Sequence, residues 1–183
     1  MDSASFTSLI AEYHRKLLSS IIHVPIETHK SIDLVDEDVG IEIKCRLRKY
    51  HKNFTIHAYQ VEHFRESLNG QQLFWAFLRY GLRKPIEGIT EEINLKRIVK
   101  DVEVTFMEWD FLKEFPVSNA YTGPYVYVKA KDLVGNFNLY ERGKAKLYIP
   151  KGSILEDKLN SPHMLQKYLD SKDKEVLVEE DII

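Results

Sequence analysis

Residues 31–60 read Ser-Ile-Asp-Leu-Val (31–35), Asp-Glu-Asp-Val-Gly (36–40), Ile-Glu-Ile-Lys-Cys (41–45), a basic loop, and Asn-Phe-Thr-Ile-His-Ala-Tyr-Gln (53–60). The first and third pieces alternate apolar with polar residues, and the second is acidic and ends in glycine. That pattern predicts a β-hairpin. A two-residue loop at Glu37-Asp38 opposes Leu34 to Ile41, Asp33 to Glu42, Ile32 to Ile43 and Ser31 to Lys44. Side chains alternate faces along a strand, so Ile32, Leu34, Ile41 and Ile43 share an apolar face, while Asp33, Glu42 and Lys44 share the other.

The polar face carries a cost. Opposed residues hold their Cβ atoms about 4.5–5.5 Å apart, and like charges so placed repel. Asp33 and Glu42 therefore require a proton or a cation between them. Converging carboxylates offer oxygen ligands only, which suits Mg²⁺, with Mn²⁺ as a substitute, rather than zinc or copper. Lys44 falls beside the same point, where an ammonium can hold a water and stabilise charge on a phosphate under attack.

Asp33, eight intervening residues and then Glu42-Ile43-Lys44 resemble the PD-(D/E)XK nucleases, the restriction-endonuclease-like superfamily. Ile32 stands where the family name has proline. The resemblance spans roughly residues 6–110 and implies that Asp33 and Glu42 ligate a divalent metal together with the Ile43 carbonyl. It implies that Lys44 assists the attacking water, and that Gln60 and Glu12 match auxiliary polar residues. An ordinary amphipathic hairpin with a solvated charged face is the structural alternative, because short motifs recur by chance. Glu156-Asp157-Lys158 and Asp170-Ser171-Lys172 repeat the tripeptide pattern without an acidic strand upstream.

Charge is unevenly distributed. Residues 1–43 carry three basic and eight acidic side chains, whereas residues 44–100 carry twelve basic and five acidic ones. The positive segment begins at the proposed site, as phosphate binding requires, although a solvated basic loop has the same composition. Arg46, Arg48, Lys49, Lys52 and His57 are the nearest candidate DNA contacts, with Arg79, Arg83 and Lys84 further on. If the apolar face of residues 53–59 joins that of the hairpin, His57 and Tyr59 line the same surface as Glu42.

The single cysteine, Cys45, excludes an intrachain disulfide and a cysteine-based zinc site. The first residues lack the pattern of a signal peptide, and the longest apolar run, Leu73–Leu78, is far short of membrane length. A cytoplasmic, intracellular protein is expected. Spacing predicts a helix over 6–20, a strand over 21–28, a short helix over 61–68 and a strand buried on both faces at 73–78. A strand follows at 102–107, a short helix at 111–115, strands at 125–128 and 145–149, and a final helix from Ser161-Pro162.

The expected fold is α/β, a mixed central sheet flanked by helices, restriction-endonuclease-like, with a β-rich C-terminal extension. Residues 1–116 read as the nuclease core and 117–183 as an extension packed on it for DNA reading or dimerisation, a single domain being the alternative. The expected activity is Mg²⁺-dependent hydrolysis of phosphodiester bonds in double-stranded DNA, in the manner of a type II restriction endonuclease acting as a homodimer. A repair nuclease or Holliday junction resolvase, and a DNA-binding or assembly protein that does not cut, are the rivals, since fold does not fix function.

Overall fold

A computed structural model describes residues 3–28, 32–49, 53–63, 70–89 and 94–160. Ser31, His51, Lys52, residues 64–69 of the expected short helix and the expected helix from Ser161 lie outside the described residues. The chain forms a mixed α/β structure on two sheets. Helix α1 (Ser3–Ile22) leads to β1 (Leu34–Val35), β2 (Val39–Leu47), β3 (Asn53–His57), α2 (Ala58–His63) and β4 (Gln72–Leu82). Then come α3 (Leu95–Ile98), β5 (Val99–Glu108), β6 (Val117–Ala120), β7 (Gly123–Lys129), β8 (Phe137–Arg142), β9 (Ala145–Pro150) and α4 (Ile154–Asn160). The six-stranded sheet has the order β1-β2-β4-β5-β9-β8, with β2 parallel to β4 and β5 parallel to β9. The second sheet is antiparallel, β3-β7-β6.

Each face of the large sheet has its own cover. Ile41 of β2 and Phe74, Ala76 and Leu78 of β4 pack with Phe6, Ile10, Leu18 and Ile22 of α1 and Leu155 and Leu159 of α4. On the opposite face Trp75 and Phe77 pack with Phe54 and Ile56 of β3, Val126 and Val128 of β7, and Trp109 and Leu112 of the 3-10 helix Trp109–Glu114. Two covered faces explain why residues 73–78 are apolar without alternation. None of the described helices is long and apolar enough to cross a membrane.

The hairpin forms at the expected register for two residues only. Leu34 pairs with Ile41 and Val35 with Gly40, and the Asp36 N–H donates to the Val39 carbonyl at 3.0 Å across the Glu37-Asp38 turn. The turn is fixed by Asp36, whose Oδ1 accepts from the N–H groups of Asp38 and Val39 at 2.8 and 2.9 Å. The buried Lys158 Nζ of α4 then clamps it, 2.7 Å from Asp36 and 3.0 Å from Asp38.

Before Leu34 the chain leaves the ladder. Residues 23–28 form no strand beyond a single bridge between Ile26 and Leu34. Pro25, which has no N–H to give, sits there as an acceptor through its carbonyl from the Val35 N–H at 3.0 Å. Residues 137–142 run as strand β8, antiparallel to β9 from Phe137 opposite Pro150 to Arg142 opposite Ala145.

Candidate functional site

Glu42 and Lys44 project from the middle of β2 onto the face covered by the second sheet, since Glu42 pairs in register with Trp75 and Lys44 with Phe77. The strand there is parallel to β4 and held along nine paired positions, so both side chains leave a rigid base. Gln60 lies in the first turn of α2, directly after β3, and reaches the same point. Lys44 Nζ donates to Glu42 Oε1 at 2.8 Å and to Gln60 Oε1 at 3.1 Å. It also lies 5.8 Å from the Trp75 ring centroid, within cation–π range.

Asp33 approaches from the other side, just before β1 begins. It is not a ladder partner of Glu42, because pairing stops at Leu34. Its side chain takes the place that backbone pairing would have filled: Oδ2 accepts the Ile43 N–H at 2.8 Å. The N–H and C=O of one strand residue face the same edge, so the Ile43 carbonyl is turned toward Asp33 as well. Burial pushes the Glu42 carboxyl up to about 7; the Lys44 ammonium pulls it down, and the neighbouring Asp33 adds to the rise. Glu42 therefore senses the neighbouring Asp33 carboxylate, with burial as the larger cause of its rise.

Arg15 of α1 is a member of this cluster that sequence reasoning missed. Its Nε and Nη2 donate to Asp33 Oδ1 at 3.1 and 2.9 Å. Glu12, the auxiliary candidate, sits one step further out: it contacts Arg15 at 3.4 Å and Lys16 at 3.6 Å and stays half-exposed. A weak signal was present, because Arg15 follows Glu12 by three residues and so shares its helix face. Nothing local could say which strand that face would meet.

The expected DNA contacts scatter. Arg46 Nε donates to the Asn53 carbonyl at 3.1 Å, and Arg79 is paired with Glu103. Arg48, Lys49, Arg83 and Lys84 are exposed around cavities at the ends of β2 and β4. His57 does not line the surface of Glu42. Phe54 and Ile56 turn toward the large sheet, so the alternating His57 faces outward, with its ring 4.4 Å from that of Tyr125 and 5.3 Å from that of Tyr59. The apolar face of β3 joins the core under Glu42 and Lys44, not the apolar face of the hairpin, and this reverses every side chain of the strand.

The donor set is chemically coherent for a hard divalent cation: two carboxylates and one backbone carbonyl, all oxygen, leaving room for water ligands. No group of three or more His, Cys, Asp or Glu side chains among the described residues is placed to hold a metal. Comparison with models of known protein families gives no match, and a search of curated proteins gives no relative.

Proposed function

We propose that this chain is a PD-(D/E)XK-type endonuclease with a restriction-endonuclease-like fold, hydrolysing phosphodiester bonds of double-stranded DNA in the manner of a type II restriction enzyme. What carries this reading is the convergence of Glu42, Lys44 and Gln60 at hydrogen-bond distance, with Asp33 against the same strand. Asp33, Glu42 and the Ile43 carbonyl would hold Mg²⁺ or Mn²⁺, which would supply Lewis-acid polarisation of the phosphate and a more acidic water.

The remaining roles belong to the chain itself. Lys44, a three-proton donor with no acceptor capacity, would turn one N–H from Glu42 toward a phosphate oxygen and stabilise the charge that develops there. Gln60 keeps the ammonium in place through its amide oxygen, and the Trp75 ring supports it from the sheet. Burial of Glu42 strengthens every charge interaction at this point. Arg15 fixes the rotamer of Asp33 from outside.

One observation favours a second reading. Arg15 on Asp33 and Lys44 on Glu42 neutralise both carboxylates internally, as a nuclease fold that binds DNA without cutting would do. Nicking of supercoiled plasmid with and without Mg²⁺ separates the two. Cleavage by the wild type that is lost in Glu42→Gln and Lys44→Ala supports the nuclease. Tight DNA binding with no nicking and no Mg²⁺-dependent rise in melting temperature supports the inactive fold.

A further inference from the structure

The ends of β2, β4, β5 and β9 enclose a cavity of about 600 Å³ in which seven lining residues are cationic and two, Asp101 and Glu103, are acidic. A second cavity of about 470 Å³ adjoins it, shares Arg48, Arg83, Lys100 and Asp101 with it, and adds Lys49 and Lys84. Some of this charge is spent within the protein. Arg48 pairs with Glu103 at 3.1 Å, and the Lys144 ammonium donates to the carbonyls of Lys96 and Val99 at 2.7 and 3.0 Å. Lys100 and Lys146 make only loose exposed pairs, at 3.8 Å with Asp101 and 3.9 Å with Glu141.

Arg83, Lys96 and Arg97 make no side-chain ion pair among the described residues and are exposed. Like charges gathered round one concavity raise the potential inside it and attract anions. The two acids do not cancel the seven cations, since Glu103 is shared between Arg48 and Arg79 and Asp101 can offset only one charge. The ligand this favours carries several phosphates in a row.

Position narrows the class. Arg46 and Arg79, opposite each other in the β2–β4 ladder, continue the face of Glu42 and Lys44 toward the cavity. Six residues of strand separate Glu42 from Arg48, about 20 Å at roughly 3.3 Å per residue. That is about six base pairs of duplex at roughly 3.4 Å each. We propose that the cavity is a phosphate-binding site that takes the sugar–phosphate backbone of duplex DNA about six base pairs from the phosphate held at Glu42 and Lys44. This rests on the nuclease reading for its spacing, and it gives Lys96 and Arg97 of α3 and Lys146 of β9 a role that the candidate contacts named from the sequence did not include.

The test is duplex binding by fluorescence anisotropy, without divalent metal so that nothing is cut, across a salt series. The triple variant Lys96→Ala, Arg97→Ala, Lys146→Ala removes exposed side chains and is checked for an unchanged melting temperature. Each lost contact should lower the log–log salt slope by about 0.9. The wild type should gain affinity when the duplex lengthens from about four to about twelve base pairs, and the variant should lose that gain. Lys96→Arg with Lys146→Arg should keep it.

An unchanged slope in the triple variant overturns the site, as does a wild type that binds no duplex. Displacement of the duplex by inorganic tripolyphosphate at equal phosphate concentration would assign the cavity to free polyphosphates and overturn the DNA assignment. A wild type that never cuts but loses slope on substitution leaves the cavity standing and removes the nuclease. A wild type that cuts while the variant keeps its slope does the reverse.

Discussion

The ammonium of Lys44 donates to the carboxylate of Glu42 at 2.8 Å, two residues away on one face of β2. Adjacent same-face residues of a strand are held in register by the ladder, so this contact needs no loop to position it. It has a measurable consequence. Lys44 opposes the burial that raises Glu42, so Lys44→Met should raise the Glu42 pKa further while abolishing plasmid nicking. A side-chain carboxyl titration by NMR on both proteins checks the first, and a gel checks the second. A Glu42 pKa that falls on substitution would show that the pair does not exist in solution.

Glu42→Gln tests the cost of the buried carboxyl. Its pKa is raised from 4.5 to about 7, so between those values the folded chain keeps a proton that the unfolded chain has released. The stabilising contribution is complete below about 4.5 and is lost as pH rises through about 7. Without divalent metal, Glu42→Gln should therefore flatten the stability profile over that window and be as stable as wild type, or more so, at pH 8. Chemical denaturation at several pH values measures this. A mutant destabilised by more than about 1 kcal/mol at pH 8 would mean the carboxylate is well compensated in the fold.

Arg15→Gln separates positioning from binding. The guanidinium makes two hydrogen bonds to Asp33 from a partly exposed side chain, so its loss should cost only about 1 kcal/mol. Asp33 then keeps one fewer competing cation, and Mg²⁺ should raise the melting temperature more in the mutant than in wild type by mass action. Equal shifts in both proteins, by calorimetry over a Mg²⁺ series, would place the cation away from Asp33.

His14 should govern acid lability. Its ring is fully buried against Tyr13 and Tyr80, with no hydrogen bond to either nitrogen among the described residues. Burial lowers its pKa from 6.5 to about 3, with the charge of Lys144 acting in the same direction. Between those values the unfolded chain binds the proton and the folded one does not, so stability is lost as pH falls from about 6.5 toward 3. His14→Leu should remove this slope. A variant whose denaturation midpoint still drops as steeply as wild type from pH 6 to 4 would assign acid lability to other groups.

Lys158 should matter far more than its place near the chain's end suggests. It is 1% exposed and bridges Asp36 and Asp38 at the hairpin turn. Lys158→Met keeps the stem and removes the charge, stranding Asp36 in a largely buried site. The expected loss is about 3 kcal/mol, the lower end for a broken buried pair, since Asp38 can turn to water. Asp36→Asn in the same background should recover part of it. A single mutant within 0.5 kcal/mol of wild type, a spread of about the ordinary surface value, would refute the clamp.

Several features were legible in the sequence because they depend on neighbours a few residues away. The period-two alternation and the short acidic turn were enough to predict the pairing of Leu34 with Ile41, and hence that Glu42 and Lys44 leave one face together. The unbroken apolar run of β4 announced two covered faces. What covers them was not written locally. Phe54 and Ile56 alternate with polar residues whichever sheet they join, so only the pairing of β3 with β7 decided that His57 faces outward. Asp33, outside the ladder, takes Arg15, eighteen residues earlier, on Oδ1 and the Ile43 N–H on Oδ2. Lys158 finds Asp36 across more than a hundred residues. Periodicity reports which side of an element is buried; the identity of the partner is a long-range packing choice, set when helices and sheets close over one another and every buried charge must find a counter-charge.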